Sequence, residues 1–134
     1  MGAQIDWSAL LDRAWEARNN AYAPYSKFAV GAAVLTESGD IFPGCNVENV
    51  SFGLTICAER VAAAAAVARG FRDFIGIAIV AETPEPVVPC GACRQFLAEF
   101  HPAMPICCVG RDGSQSIFTL SELLPSVFSR FEVD

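Results

Sequence analysis

Three thiols in two widely separated segments constrain this chain more than any other feature. Cys57 opens the run Cys57-Ala58-Glu59-Arg60, and Cys90 and Cys93 stand in Pro89-Cys90-Gly91-Ala92-Cys93. Three thiolates that meet can hold a tetrahedral zinc and leave its fourth position to water, whose pKa the metal brings down to about 7. Glu59, beside the first ligand without being one, is placed to shuttle that water's protons. A fold for this sequence therefore has to bring residue 57 up against residues 90–93.

The segments around them predict how. Asp6 can cap a helix running to about Asn20, with Trp7, Leu10, Leu11, Ala14, Trp15 and Arg18 on one face. Ala23-Pro24-Tyr25-Ser26 ends it, Phe28 to Thr36 reads as a strand, and Glu37-Ser38-Gly39-Asp40 is a turn. A second strand runs from Ile41 to near Glu48, and Pro43 within it marks an edge or a bulge. Five successive alanines, Ala62 to Ala66, make Cys57 to about Ala68 a helix that Gly70 stops. Phe74 to Val80 is an apolar run of strand length, of the kind buried on both faces. A proline-stiffened loop leads to a helix from Cys90 to Phe100, then come strands at Met104 to Val109 and Ser114 to Phe118. Thr119 and Glu122 form a capping box for a short last helix.

The order α-β-β-α-β-α-β-β-α implies a single α/β domain over residues 1–134, long enough for a substantial core. Right-handed strand-helix-strand units put both middle helices on one face of the sheet with their N-termini at the same end. Ligands bind outside the carboxyl ends of the strands in such sheets, and that is where the three thiols would converge. Helix N-termini also carry the partial positive charge that lowers thiol pKa. On the second strand, Asn46 and Glu48 point to one side and Cys45 and Val47 to the other. An amide and a carboxylate so aligned can hold hydroxyl groups.

Other readings of the cysteines fit less of the sequence. A redox Cys-x-x-Cys pair leaves Cys57 and Glu59 without a role. A structural zinc site needs a fourth protein ligand, and the candidate, Cys45, faces away from Asn46 and Glu48. Cys45, Cys107 and Cys108 read instead as small buried apolar residues, and His101 as a surface residue past the end of its helix.

Net charge is −6, with one lysine, Lys27, and scattered arginines. That excludes the clustered basic surface on which duplex nucleic acid binding depends. Neither G-x-x-x-x-G-K-[ST] nor G-x-G-x-x-G occurs, so a neutral small molecule suits the chain better than a phosphorylated one. Hydrophobic residues make up 53% and charged ones 18%, yet no apolar run approaches the ~20 residues of a spanning helix. The N-terminus shows no signal peptide. A cytoplasmic oligomer that buries apolar surface between subunits, with helices of different subunits packing at Ala62 to Ala66, is the expectation.

Three thiols or His/Cys/Cys, a glutamate and Pro-Cys-x-x-Cys together make up the constellation of hydrolytic zinc deaminases. Along most of its length the chain resembles the small homotetrameric cytidine deaminases. Tyr22 to Phe28 with Val30-Gly31-Ala32, Gly44-Cys45-Asn46-Val47-Glu48-Asn49, Cys57-Ala58-Glu59-Arg60, Pro89 to Gln95 and Glu122-Leu123-Leu124-Pro125 carry the resemblance in order. It implies a three-layer cytidine-deaminase-like fold, a mixed five-stranded sheet with helices on both faces. It implies one zinc per subunit on Cys57, Cys90 and Cys93, and Glu59 as proton shuttle. Asn46 and Glu48 would take the ribose hydroxyls, Phe28 the pyrimidine face, and the backbone at Ala58 the base edge. Arg60, or else Arg94, would offset the thiolate charge, and Phe128 would reach a neighbouring subunit's substrate. Ala29 stands where a proline is often found. The implied reaction turns cytidine and 2′-deoxycytidine into uridine and 2′-deoxyuridine plus ammonia, in pyrimidine salvage. The alternatives are a blasticidin S deaminase-like aminohydrolase, which shares both metal motifs, and a zinc-stabilised binding module, which would not need Glu59.

Overall fold

Asp6 starts the first helix: its carboxylate accepts from the Ala9 N–H at 3.1 Å, and α1 runs from Trp7 to Arg18. The structure, a computed structural model, describes residues 4–128. After α1 come β1 (Val30–Thr36), β2 (Ile41–Cys45), a single 3-10 turn (Phe52–Leu54), α2 (Ala58–Ala68) and β3 (Phe74–Ala81). Next are α3 (Gly91–Ala98), β4 (Pro105–Val109), β5 (Gln115–Thr119) and α4 (Leu120–Leu123). The last helix has the expected capping box, with the Thr119 N–H donating to Glu122 Oε1 at 2.8 Å.

The strands form one mixed sheet in the order β2-β1-β3-β4-β5. β1 is antiparallel to both β2 and β3, β3 and β4 are parallel, and β5 is antiparallel to β4. Pro43 lies on the edge strand β2, where its missing N–H costs no ladder bond. Because β1 separates β2 from β3, those two run the same way, so α2 and α3 each leave the same end of the sheet.

Alternation along the strands gives each face its own core. Leu10 and Ala14 of α1 pack with Ala33, Ala78, Val80 and Cys107 on one side. Ala58, Ala62, Ala63 and Ala66 of α2 and Leu97 of α3 pack with Ala32, Val34, Ile77, Ile79, Ile106 and Cys108 on the other. The result is three layers with helices on both faces.

Glycine sets how close the layers come. A Cβ at Gly31 would stand 2.0 Å from the Ala14 carbonyl oxygen, and one at Gly44 would stand 2.5 Å from the Ala62 nitrogen. The second contact shows what the alanine run meets within the chain. Its buried face presses α2 onto β2, leaving Ala64 exposed and Ala65 half-buried.

Several boundaries also shift. Phe28 and Ala29 precede β1, β2 ends at Cys45, α1 ends at Arg18, and Cys45 is only partly buried. None of the described helices is long and apolar enough to cross a membrane.

Candidate active site

Cys57 and Cys90 occupy the same structural position, the cap residue just ahead of α2 and of α3. Both have extended backbones, with φ/ψ of −71°/154° and −66°/166°, and neither side chain caps its own helix. The sulfurs turn toward each other instead, 3.8 Å apart. Cys93, on the first turn of α3, brings its sulfur into the same group, all three lying within 4.8 Å of one another.

This spacing fits zinc. Ligand sulfurs at ~2.3 Å from a tetrahedral ion stand about 3.8 Å from one another, which is the Cys57–Cys90 separation. Three soft thiolate donors and no fourth protein ligand among the described residues leave one position open. Cys107 and Cys108 are fully buried in the two cores, and burial pushes the Cys108 thiol up to about 12, so it stays protonated.

Charge at the thiols is managed locally. The Cys93 thiol, followed by the Arg60 guanidinium, draws Cys57 well below the ordinary thiol range, and the same pairing raises Cys93. Arg60 Nη2 lies 3.5 Å from both Cys57 Sγ and the Thr55 carbonyl oxygen, while its buried Nε has no hydrogen-bond partner among the described residues. Arg94 goes elsewhere. Its Nε donates to the Pro89 carbonyl at 2.8 Å and its Nη1 to the Leu123 carbonyl at 3.0 Å, so it ties the ligand loop to α4 rather than touching a sulfur.

Glu59 is 5% exposed on the first turn of α2. Desolvation pushes its carboxyl up to about 7, with the neighbouring Cys57 thiolate adding to the shift. A carboxyl poised there can both take and give a proton near neutrality.

These groups open into one cleft. Phe28, Asn46, Ala58, Glu59, Cys57 and Cys90 line it, and so do Val87 and Val88 from the proline-stiffened loop, which sequence reasoning passed over. Glu48 lies in an adjoining cleft with Tyr25, Ser26 and Phe52, and Thr55 is common to both. Phe128 borders neither; its ring is 66% exposed while its backbone exchanges two hydrogen bonds with the Gln95 side chain.

Asn46 and Glu48 both turn toward the chain at 25–30. Asn46 Oδ1 accepts from the Val30 N–H at 2.9 Å and Nδ2 donates to the Phe28 carbonyl at 2.8 Å. Glu48 Oε1 accepts from the N–H groups of Tyr25 and Ser26 at 3.0 and 3.1 Å, and Oε2 accepts from Ser26 Oγ. With about four lone-pair sites on a carboxylate, Glu48 keeps one, on Oε2, and Asn46 keeps one N–H and one lone pair. Sequence reasoning missed Ser26 as Glu48's partner. The two residues are 22 apart in the chain, and no local pattern joins them.

Residues 5–109 match the family model described as the cytidine and deoxycytidylate deaminase zinc-binding region. A cytidine deaminase of Sporosarcina psychrophila is 47% identical over 127 residues, covering 94% of this chain and 93% of its own. The crystal structure of cytidine deaminase from Burkholderia pseudomallei superposes with a TM-score of 0.89 at 46% identity, covering 92% of this chain and 100% of that one. A blasticidin-S deaminase of Bacillus cereus is 30% identical over 113 residues, covering 78% and 80%.

Proposed function

The chain belongs to the cytidine and deoxycytidylate deaminase zinc-binding family, and from that membership we infer that it hydrolyses the C4 amino group of cytidine, releasing ammonia and leaving uridine. The observation that carries this reading is a buried carboxylate, Glu59, held two residues past a thiol in a three-thiol group and facing the same cleft. A zinc-stabilised binding module would gain nothing from burying an acid there. The weaker likeness to a blasticidin-S deaminase makes that substrate the lesser alternative.

Cys57, Cys90 and Cys93 would hold the zinc, which would supply an acidified water for attack at C4. Glu59 moves the protons: one to N3 of the pyrimidine, and one to the departing amino nitrogen. Buried on the first turn of α2 and lining the same cleft, it is placed for both transfers. Arg60, hydrogen-bonded toward Cys57, draws off part of the thiolate charge that would otherwise make the bound water less acidic.

The remaining wall selects the substrate. The Phe28 ring offers a flat face to the pyrimidine, and the backbone at Ala58, the first residue of α2, offers a free N–H to the base edge. Glu48 and Asn46 each keep hydrogen-bonding capacity for a sugar hydroxyl. Glu48 has room for one only, so 2′-deoxycytidine is accepted along with cytidine. No phosphate cradle lines the cleft, so the monophosphate is a poor substrate.

A homotetramer would account for the exposed apolar residues Val50, Phe52 and Leu54, of which Phe52 is 74% exposed and shares a cleft with Tyr25 and Glu48. Phe128, pointing out from its own subunit, is the aromatic that completes a neighbour's pocket. The six cysteines, none in a disulfide, go with a cytoplasmic enzyme.

Loss of ultraviolet absorbance as zinc-loaded protein turns over cytidine tests the reaction. Turnover of blasticidin S but not cytidine, or efficient turnover of free cytosine, would overturn the assignment. Tetramers mixed from inactive Glu59→Ala and Phe128→Ala chains should regain partial activity. No rescue from mixed tetramers shown to form would remove Phe128 from the neighbouring pocket.

A further inference from the structure

One hydroxyl joins the two halves of the substrate-recognition wall. Ser26 Oγ donates to Glu48 Oε2 and accepts from the Phe28 backbone N–H at 3.0 Å. Between the two residues, Lys27 has φ +60°, the one non-glycine residue with positive φ among the described residues. Its N–H donates to the Ala23 carbonyl at 3.0 Å, closing the turn. A side chain with a Cβ adopts this backbone at a cost, and keeps it where surrounding contacts hold it there. The contacts here are those around Glu48: two backbone N–H groups on Oε1 and the Ser26 hydroxyl on Oε2.

The far side of Phe28 is gripped as firmly. Asn46 takes the Phe28 carbonyl and the Val30 N–H. The backbone that carries the ring is thus held at its N–H by Ser26 and at its carbonyl by Asn46. Without the Ser26 hydroxyl, Glu48 keeps only its contacts on Oε1 and can rotate Oε2 away, while the Phe28 N–H loses its acceptor.

We propose that Ser26 is a positioning residue for nucleoside recognition, fixing the sugar-binding carboxylate of Glu48 relative to the aromatic platform of Phe28 before substrate arrives. This rests on the roles given above to Glu48 and Phe28. Ser26 touches neither the reacting carbon nor the thiols, so its removal acts on binding and leaves chemistry in place.

Steady-state kinetics on cytidine, with melting temperature as a check of folding, test the inference. Ser26→Ala should raise KM roughly ten-fold with kcat changed by no more than about two-fold. Ser26→Thr keeps the hydroxyl and should keep KM near that of the parent. In a Glu48→Ala background, Ser26→Ala should lose most of its effect, because the hydroxyl acts largely through that carboxylate. Should the alanine variant fail to fold, Ser26→Cys, equal in shape and a weaker donor, carries the same test with a smaller rise in KM.

Two results would overturn the inference while sparing the sugar assignment. One is an unchanged KM in Ser26→Ala when Glu48→Ala raises it. The other is an equal effect of Ser26→Ala in both backgrounds. An unchanged KM in Glu48→Ala would instead sink the sugar assignment itself, and the role of Ser26 with it.

Discussion

The thiol end and the sugar end of the cleft are built by different means. At the thiol end, two strand-to-helix junctions leave the same edge of the sheet, so the caps of α2 and α3 meet wherever the strands are correctly paired. The cores under β1, β3 and β4 hold the geometry, and Glu59 is sealed beneath it. At the sugar end no regular element reaches. An exposed turn at residues 23–28 keeps its shape through side chains that reach back to its amides. On the roles proposed above, the contrast teaches that proton and metal chemistry would fall to the part of the molecule fixed by topology, and substrate choice to the part fixed by a few replaceable hydrogen bonds.

The contrast breaks most decisively at Glu59. Glu59→Ala should keep its zinc, measured by metal analysis, and lose at least ~100-fold in kcat. Near-normal turnover with full metal would take the proton transfers away from Glu59. Loss of the metal would show that the buried end is held together by more than its topology.

Burial of that carboxylate has a stability consequence in protein stripped of zinc. The native state keeps the Glu59 proton up to about pH 7, whereas an unperturbed glutamate gives it up near 4.5. Unfolding therefore releases a proton between those values, and metal-free native protein loses stability as pH rises through that window. The Glu59→Gln variant cannot lose that proton. Its advantage over the parent in denaturant unfolding should be absent below pH 4.5 and grow to no more than about 3.5 kcal/mol above pH 7, at roughly 1.4 kcal/mol per pH unit. A constant difference across the range would mean that burial does not shift the carboxyl.

Arg60 sharpens the comparison by separating two arginines of similar sequence position. Arg60→Ala should weaken zinc affinity about ten- to a hundred-fold, read by competition with a chelator. Arg94→Ala should leave that affinity near the parent's, since Arg94 bonds to carbonyls. The reverse result would move the charge compensation to α3. The smallest effect belongs to the sugar end: kcat/KM for cytidine and 2′-deoxycytidine should agree within about ten-fold, because Glu48 has one acceptor site free. A larger preference would mean that another group reads the 2′ position.

Sequence periodicity and capping signals located the elements of the fold to within a few residues, because each face of the sheet is covered and its alternation survives in the apolar residues. The thiol end was legible for the same reason: helix starts after Cys57 and Cys90 follow from Ala62–Ala66 and from the proline-rich approach. The sugar end was half legible. Period two put Asn46 and Glu48 on one side, but the strand stops at Cys45, and what the two side chains hold is a turn whose partners lie about twenty residues upstream. No local pattern encodes such pairings. The alanine run showed that close approach is possible without saying to what; within the chain, Gly44 across the gap is one answer.

The ties made by Arg94 and Gln95 bear on how the molecule breathes. The residue after Cys93 holds the Pro89 and Leu123 carbonyls, and the next one clasps Phe128. The ligand loop, the first turns of α3 and the chain from Leu123 to Phe128 therefore open together rather than one by one. In hydrogen–deuterium exchange they should behave as one cooperative unit, set apart from α1 across the sheet. Removing zinc should hasten exchange along that whole unit, the C-terminal amides included, while the amides of α1 keep their protection.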